Sequence, residues 1–84
     1  MSIRYTRKDG KPSAYEFACG AYLQVEPAAG ILLEIIKPAS SYYVRAWKRS
    51  SPGDTLREGS FDRVKGAWAF FNSLKRSIKR GELY

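Results

Sequence analysis

Between Tyr42 and Arg49 the chain alternates two kinds of side chain. Tyr42, Val44 and Ala46 form one set; Tyr43, Arg45, Trp47 and Arg49 form the other. Period-two alternation is the pattern of a β-strand, whose successive side chains point to opposite faces. The second set therefore aims two guanidinium groups and two aromatic rings at one ligand. Arginine grips phosphates or guanine edges with paired donors, and flat rings stack on bases or pack against sugars. That chemistry is recognition of nucleic acid. The competing arrangement packs Trp47 beneath another element, lets Arg45 snorkel along the surface, and exposes Tyr42 and Val44 instead.

The remaining inventory argues against catalysis. The chain has no histidine and a single cysteine, Cys19. This removes the commonest general base, every Ser–His or Cys–His nucleophile and any zinc site. Glu16, Glu26, Glu34, Asp54, Glu58, Asp62 and Glu82 are scattered singly, with no paired carboxylates for acid–base work or magnesium. No glycine-rich phosphate cradle is present. The expectation is a protein that is not an enzyme and carries neither metal nor cofactor.

Charge points to the partner. Fifteen Lys and Arg against eight Asp and Glu give +7, unevenly placed: residues 1–40 carry +1 and residues 41–84 carry +6. Such density attracts polyanions by releasing their counterions. The longest apolar run, Ile31 to Leu33, is far too short to span a membrane, and no signal peptide is visible. One cysteine cannot form an internal disulfide, so a cytoplasmic location is expected.

With 84 residues the chain is expected to form one domain. Residues 1–13 read as a basic arm or short hairpin, with Arg4, Arg7, Lys8 and Lys11 around the turn signal Asp9-Gly10. Residues 14–60 read as an antiparallel sheet. Tyr15 to Glu26 alternates, placing Tyr15, Phe17, Cys19, Ala21, Leu23 and Val25 on one face, with Gly20 a bulge and Cys19 a small core residue. Pro27 to Gly30 is a turn. Ile31 to Lys37, apolar except at Glu34, is an inner strand. After Tyr42 to Arg49, Ser50 to Asp54 reads as a flexible turn and Thr55 to Ser60 as a short closing edge strand.

Residues 61–81 read as a helix with Asp62 as N-cap and Gly81 just past its end. Val64, Ala67, Trp68, Phe71, Leu74 and Ile78 recur at helical spacing as one apolar stripe. Arg63, Lys65, Lys75, Arg76, Lys79 and Arg80 bring six cations and no acid; Lys65, Arg76 and Arg80 lie on the face away from the stripe. The expected fold is α+β: an antiparallel meander of three to four strands packed against one C-terminal helix.

The run Tyr43-Val44-Arg45-Ala46-Trp47, a polar turn with Gly53, then Gly59-Ser60-Phe61-Asp62 entering a helix with Ala67, Ala69, Phe70 and Phe71 resembles a known DNA-binding architecture. It is the three-stranded-sheet-plus-helix domain of plant ethylene-response factors and of the arm-binding modules of phage integrases. Ile78-Lys79-Arg80-Gly81-Glu82-Leu83 is similar to the helix exit of those modules. The resemblance covers roughly residues 31–81. It implies a sheet lying in the major groove, with Arg45, Trp47, Arg49 and Arg57 as contacts. The long first strand departs from it, since the family usually has three. Tyr42 to Trp47 also resembles a strand of the positive-cofactor type of single-stranded-DNA-binding protein, a meander-and-helix fold that dimerises through its helix.

The expected function is that of a small non-catalytic nucleic-acid-binding accessory protein, with DNA favoured over RNA. Its expected contacts are Tyr43, Arg45, Trp47, Arg49, Arg57, Lys65, Arg76 and Arg80, and it is either a monomer or a homodimer. The alternative is a phage- or mobile-element-encoded inhibitor or adaptor that binds a host protein complex such as a CRISPR effector.

Overall fold

The computed structural model describes residues 3–4 and 12–82. In chain order the elements are β1 (Ile3–Arg4), α1 (Ala14–Ala18), β2 (Ala21–Ala28), β3 (Ile31–Ile36), β4 (Tyr42–Lys48), β5 (Ser51–Phe61) and α2 (Val64–Lys79). They form one sheet ordered β1-β2-β3-β4-β5. The four long strands run antiparallel, and the two-residue β1 pairs parallel with β2. Arg7, Lys8, Lys11 and the Asp9-Gly10 turn signal lie outside the described residues.

The sheet is amphipathic because its strands alternate. Ile31, Leu33 and Ile35 of β3, with Tyr42, Val44 and Ala46 of β4, are buried on one face. Against them α2 lays Ala67, Phe71, Leu74 and Ile78, with Val64, Trp68 and Phe70 half-buried alongside. Except for Phe70, which borders it, these are the residues of the predicted stripe. At its end α2 closes in a Schellman motif: Gly81 donates its N–H to the Ile78 carbonyl and Glu82 to the Ser77 carbonyl, both at 3.0 Å. Gly81 sits at φ 72°, a conformation that favours glycine.

Several local expectations are corrected. Residues 15–20 are not strand. Ser13 and Glu16 form a capping box, in which the Ser13 hydroxyl accepts from the Glu16 N–H at 3.2 Å and the Glu16 carboxylate accepts from the Ser13 N–H at 2.6 Å. That pairing starts a single helical turn, which Gly20 at φ 95° ends by redirecting the chain into β2. Alternation begins only at Ala21. Phe17 is turned into the core, edge-on to Tyr42 at 5.5 Å and tilted on Trp68 at 5.9 Å. Tyr15 is 77% exposed, and Cys19 is exposed rather than a core residue.

The bulge of the first long strand lies at Glu26-Pro27, where two residues face Leu32 alone, and not at Gly20. Pro27 and Ala28 belong to β2, so the turn shortens to Ala29-Gly30. The edge strand β5 is eleven residues long, not six. Pro52 to Asp54, expected as turn, are taken up as a wide irregularity within β5, and Leu56 is a second extra residue. The N-cap position of α2 is Arg63, whose extended backbone carries no side-chain cap, rather than Asp62.

The two readings of residues 14–20 differ in what mutation does. Phe17→Ala is expected to cost about 3–5 kcal/mol in chemical denaturation, as deletion of a fully buried ring does. Cys19→Ser is expected to change stability by less than about 0.5 kcal/mol. Comparable losses at both positions would restore the strand.

Candidate nucleic-acid interface

Tyr43, Arg45, Trp47 and Arg49 project from the face of the sheet that the helices leave uncovered. Register brings companions to them that no single strand reveals. Glu34 of β3 and Glu58 of β5 stand directly opposite Arg45, and Gln24 of β2 continues the row. The Tyr43 hydroxyl donates to Glu58 Oε2 at 2.8 Å. Burial raises the Tyr43 pKa, and the hydrogen bond to Glu58 and that carboxylate's charge raise it further. Arg49 forms an ion pair with Glu26. Among the described side chains of this face, two guanidinium groups thus meet three carboxylates, and their balance is not basic.

Arg45 is committed inside its own hairpin. Its guanidinium lies 4.6 Å above the centre of the Trp47 ring. Its Nε donates to Thr55 Oγ1 at 2.9 Å, and its Nη2 donates to the Pro52 carbonyl. Both acceptors are supplied by the irregular start of β5, which folds over the strand. Trp47 is consequently only 8% exposed although no helix covers it. Neither the ring face nor the planar fork is open to a ligand as an unengaged side chain would be.

Glu34 is half-buried and accepts no hydrogen bond from the described residues. Burial lifts its carboxyl pKa above the usual 4.5, an effect the charge of Arg45 partly offsets.

The other expected contacts lie elsewhere. Arg57 stands opposite Ala46 and so belongs to the helix side of β5; its Nη1 donates to the Leu56 carbonyl at 3.2 Å. Lys65, Arg76 and Arg80 are exposed on the outer face of α2, on the opposite side of the molecule from Arg45. With Lys79, an exposed cation of α2 outside the expected contacts, they fall in a sector roughly 100° wide. Lys65 stands about 16 Å from Arg76 along the axis and about 22 Å from Arg80, at 1.5 Å per residue. Only Arg80 has an ion-pair partner among the described residues: Glu82 Oε1, at 3.1 Å. A shallow, open depression at the start of α2 is lined by Phe61, Asp62, Arg63, Lys65, Gly66 and Ala69. The eight expected contacts are therefore divided among three surfaces.

Among the described residues no three Cys, Asp or Glu side chains gather as metal ligands would, and no helix is long and apolar enough to cross a membrane. No protein-family model matches the sequence, and no curated protein or solved structure is similar enough to match it. The resemblances over residues 31–81 rest on their motifs alone.

Arg45→Ala is expected to lower stability by about 1–2 kcal/mol, because it removes the cation–π contact and two hydrogen bonds. In a Trp68→Phe background, Trp47 emission should shift to the red. Unchanged stability and emission would show that Arg45 is not a lid on Trp47.

Glu34 carries a pH prediction. A carboxyl pKa raised by folding means that the ionised form is disfavoured in the folded state. The stability associated with the protonated form is complete below about 4.5 and lost as the pH rises through the folded value. Glu34→Gln should therefore raise the unfolding temperature of dilute protein at pH 7. The gain should fade on acidification below pH 4.5, and a gain independent of pH would contradict it.

Proposed function

We propose that this chain is a small non-catalytic nucleic-acid-binding accessory protein, and that its phosphate-binding surface is the outer face of α2 rather than the sheet. The observation that carries the reading is the contrast between the two sides. On the sheet, each arginine already has a carboxylate, carbonyl or hydroxyl within bonding distance. On α2, Lys65, Arg76 and Lys79 have no ion-pair partner among the described residues, and only Glu82 offsets the group at Arg80. Cations that face water exchange that water for phosphate and release counterions without breaking a bond within the fold.

A helix face of this kind contacts the backbone, so binding is expected to depend weakly on base sequence. With about four phosphate contacts, the logarithm of affinity should fall with the logarithm of salt at a slope of roughly −3 to −4. Fluorescence anisotropy on a labelled DNA duplex measures this slope. Arg76→Glu with Lys79→Glu should weaken binding at least about tenfold and flatten the slope by about two. Arg45→Ala should leave the affinity near that of the unaltered protein. Loss of binding with Arg45→Ala but not with the helix pair would return the interface to the sheet. Affinity indifferent to salt would end the nucleic-acid reading.

A further inference from the structure

Among the described residues, the uncovered face of the sheet brings acidic and basic side chains together. Along its centre run three in-register pairs of β3 and β4: Leu32 with Trp47, Glu34 with Arg45, and Ile36 with Tyr43. Each pair joins either an aliphatic side chain to an aromatic ring or an acid to a base. Such a pattern is self-complementary. A two-fold axis parallel to the strands, midway between β3 and β4, lays β3 of one copy over β4 of the other at the same level. Glu34 then faces Arg45 of the second copy, Leu32 faces the capped Trp47, and Ile36 faces Tyr43, each contact occurring twice. The same operation lays Gln24 over Glu58.

Glu34 supplies a second observation. It is half-buried on this face and accepts no hydrogen bond from the described residues, while the Arg45 donors are turned toward Thr55 and Pro52. A second copy brings another guanidinium over it, whose Nη1 donates to no described residue and reaches Glu34 while Nε and Nη2 keep Thr55 and Pro52. Electrostatics narrows the choice of face further. Copies that each carry +7 repel one another, and the outer face of α2 repels most strongly. The open face, with Glu26, Glu34 and Glu58 against Arg45 and Arg49, is a surface two copies can bring together without that repulsion.

We propose that the chain forms a face-to-face homodimer through the open face of its sheet, about a two-fold axis between β3 and β4, with α2 of both copies outward. Aligned sheets stack about 10 Å apart with a twist near 30°, so the central pairs stay in contact while the outer ones diverge. Four strands spaced about 4.8 Å apart, over six residues each, offer a patch of roughly 20 by 20 Å. The area buried by both copies is on the order of 1,000 Å², which places the dimer in the weak class.

The test is the mass of nucleic-acid-free protein, measured by sedimentation equilibrium from about 5 to about 500 μM, the range in which a weak interface populates. The mass should rise from one chain toward two. Glu34→Arg, which sets like charges against each other on both sides of the axis, should weaken dimerisation at least about tenfold. Circular dichroism and the fold of the dilute protein should remain unchanged. Leu32→Asp should do the same through desolvation. A one-chain mass at the highest concentration overturns the proposal, and so does a dimer indifferent to both variants. A dimer abolished by Arg57→Pro but not by Glu34→Arg would place the interface on the β5 edge, and a face filled instead by another protein would leave the chain monomeric; both results overturn it. None of these outcomes depends on whether α2 binds nucleic acid.

Discussion

The pairing of β3 with β4 is the constraint on which the rest of the structure depends. Leu33, Ile35, Val44 and Ala46 are fully excluded from solvent beneath α2, and they can be so only in one register. A slip of one residue would turn Glu34 and Arg45 under the helix and expel the aliphatic set. Burying a charge without full compensation costs several kcal/mol, a large part of what a domain this small has. The irregularities are accordingly pushed outward. β2 is bulged at Glu26-Pro27 and β5 at Pro52–Asp54 and Leu56, while the β3–β4 ladder runs without a shift.

That register also sorts charge. Because side-chain direction repeats every two residues, fixing Val44 inward fixes Arg45 outward and places Glu34 and Glu58 beside it. Arg45 and Arg49 are thereby set against carboxylates distant in sequence. The cations of α2 are not, since its outer face meets no strand. Magnitudes decide which surface suits phosphate. To grip a phosphate, Arg45 would give up a stacked ring and two hydrogen bonds, together about 1–2 kcal/mol. Arg76 and Lys79 would give up only hydration.

How much of this was legible follows from the range over which each signal acts. The alternation at 42–49 and the stripe from Val64 to Ile78 are local and intense, and they gave the sheet, the helix and the face between them. The signal at Ser13 and Glu16 was equally local, but residues 15–25 also satisfy period two, and the longer pattern masked the capping box. Asp62 has the right chemistry for an N-cap yet stands one residue early, because β5 runs to Phe61 and carries the chain past it. β5 itself was hidden by Pro52 and Gly53, which read as a turn until a bulge absorbs them. The basic character assigned to the strand face was a cross-strand question. Reading β4 alone shows Arg45 and Arg49 and cannot show that Glu26, Glu34 and Glu58 stand against them.

The two proposals have a joint geometric consequence. A dimer formed through the open faces stacks four layers: helix, sheet, sheet and helix. At about 10 Å between layers, the two α2 axes lie roughly 30 Å apart with their cations directed away from each other. No straight duplex reaches both faces at once. The second copy therefore adds nothing to the affinity for a short duplex, because simultaneous engagement is what multivalency requires. It adds affinity only for nucleic acid that bends around the dimer or is held as two separate segments, each neutralised by its own helix. Taken together, the two proposals describe a spacer between nucleic-acid segments, and a weak interface would suit it: at low concentration each copy would bind alone, and tethering would begin only as copies accumulate.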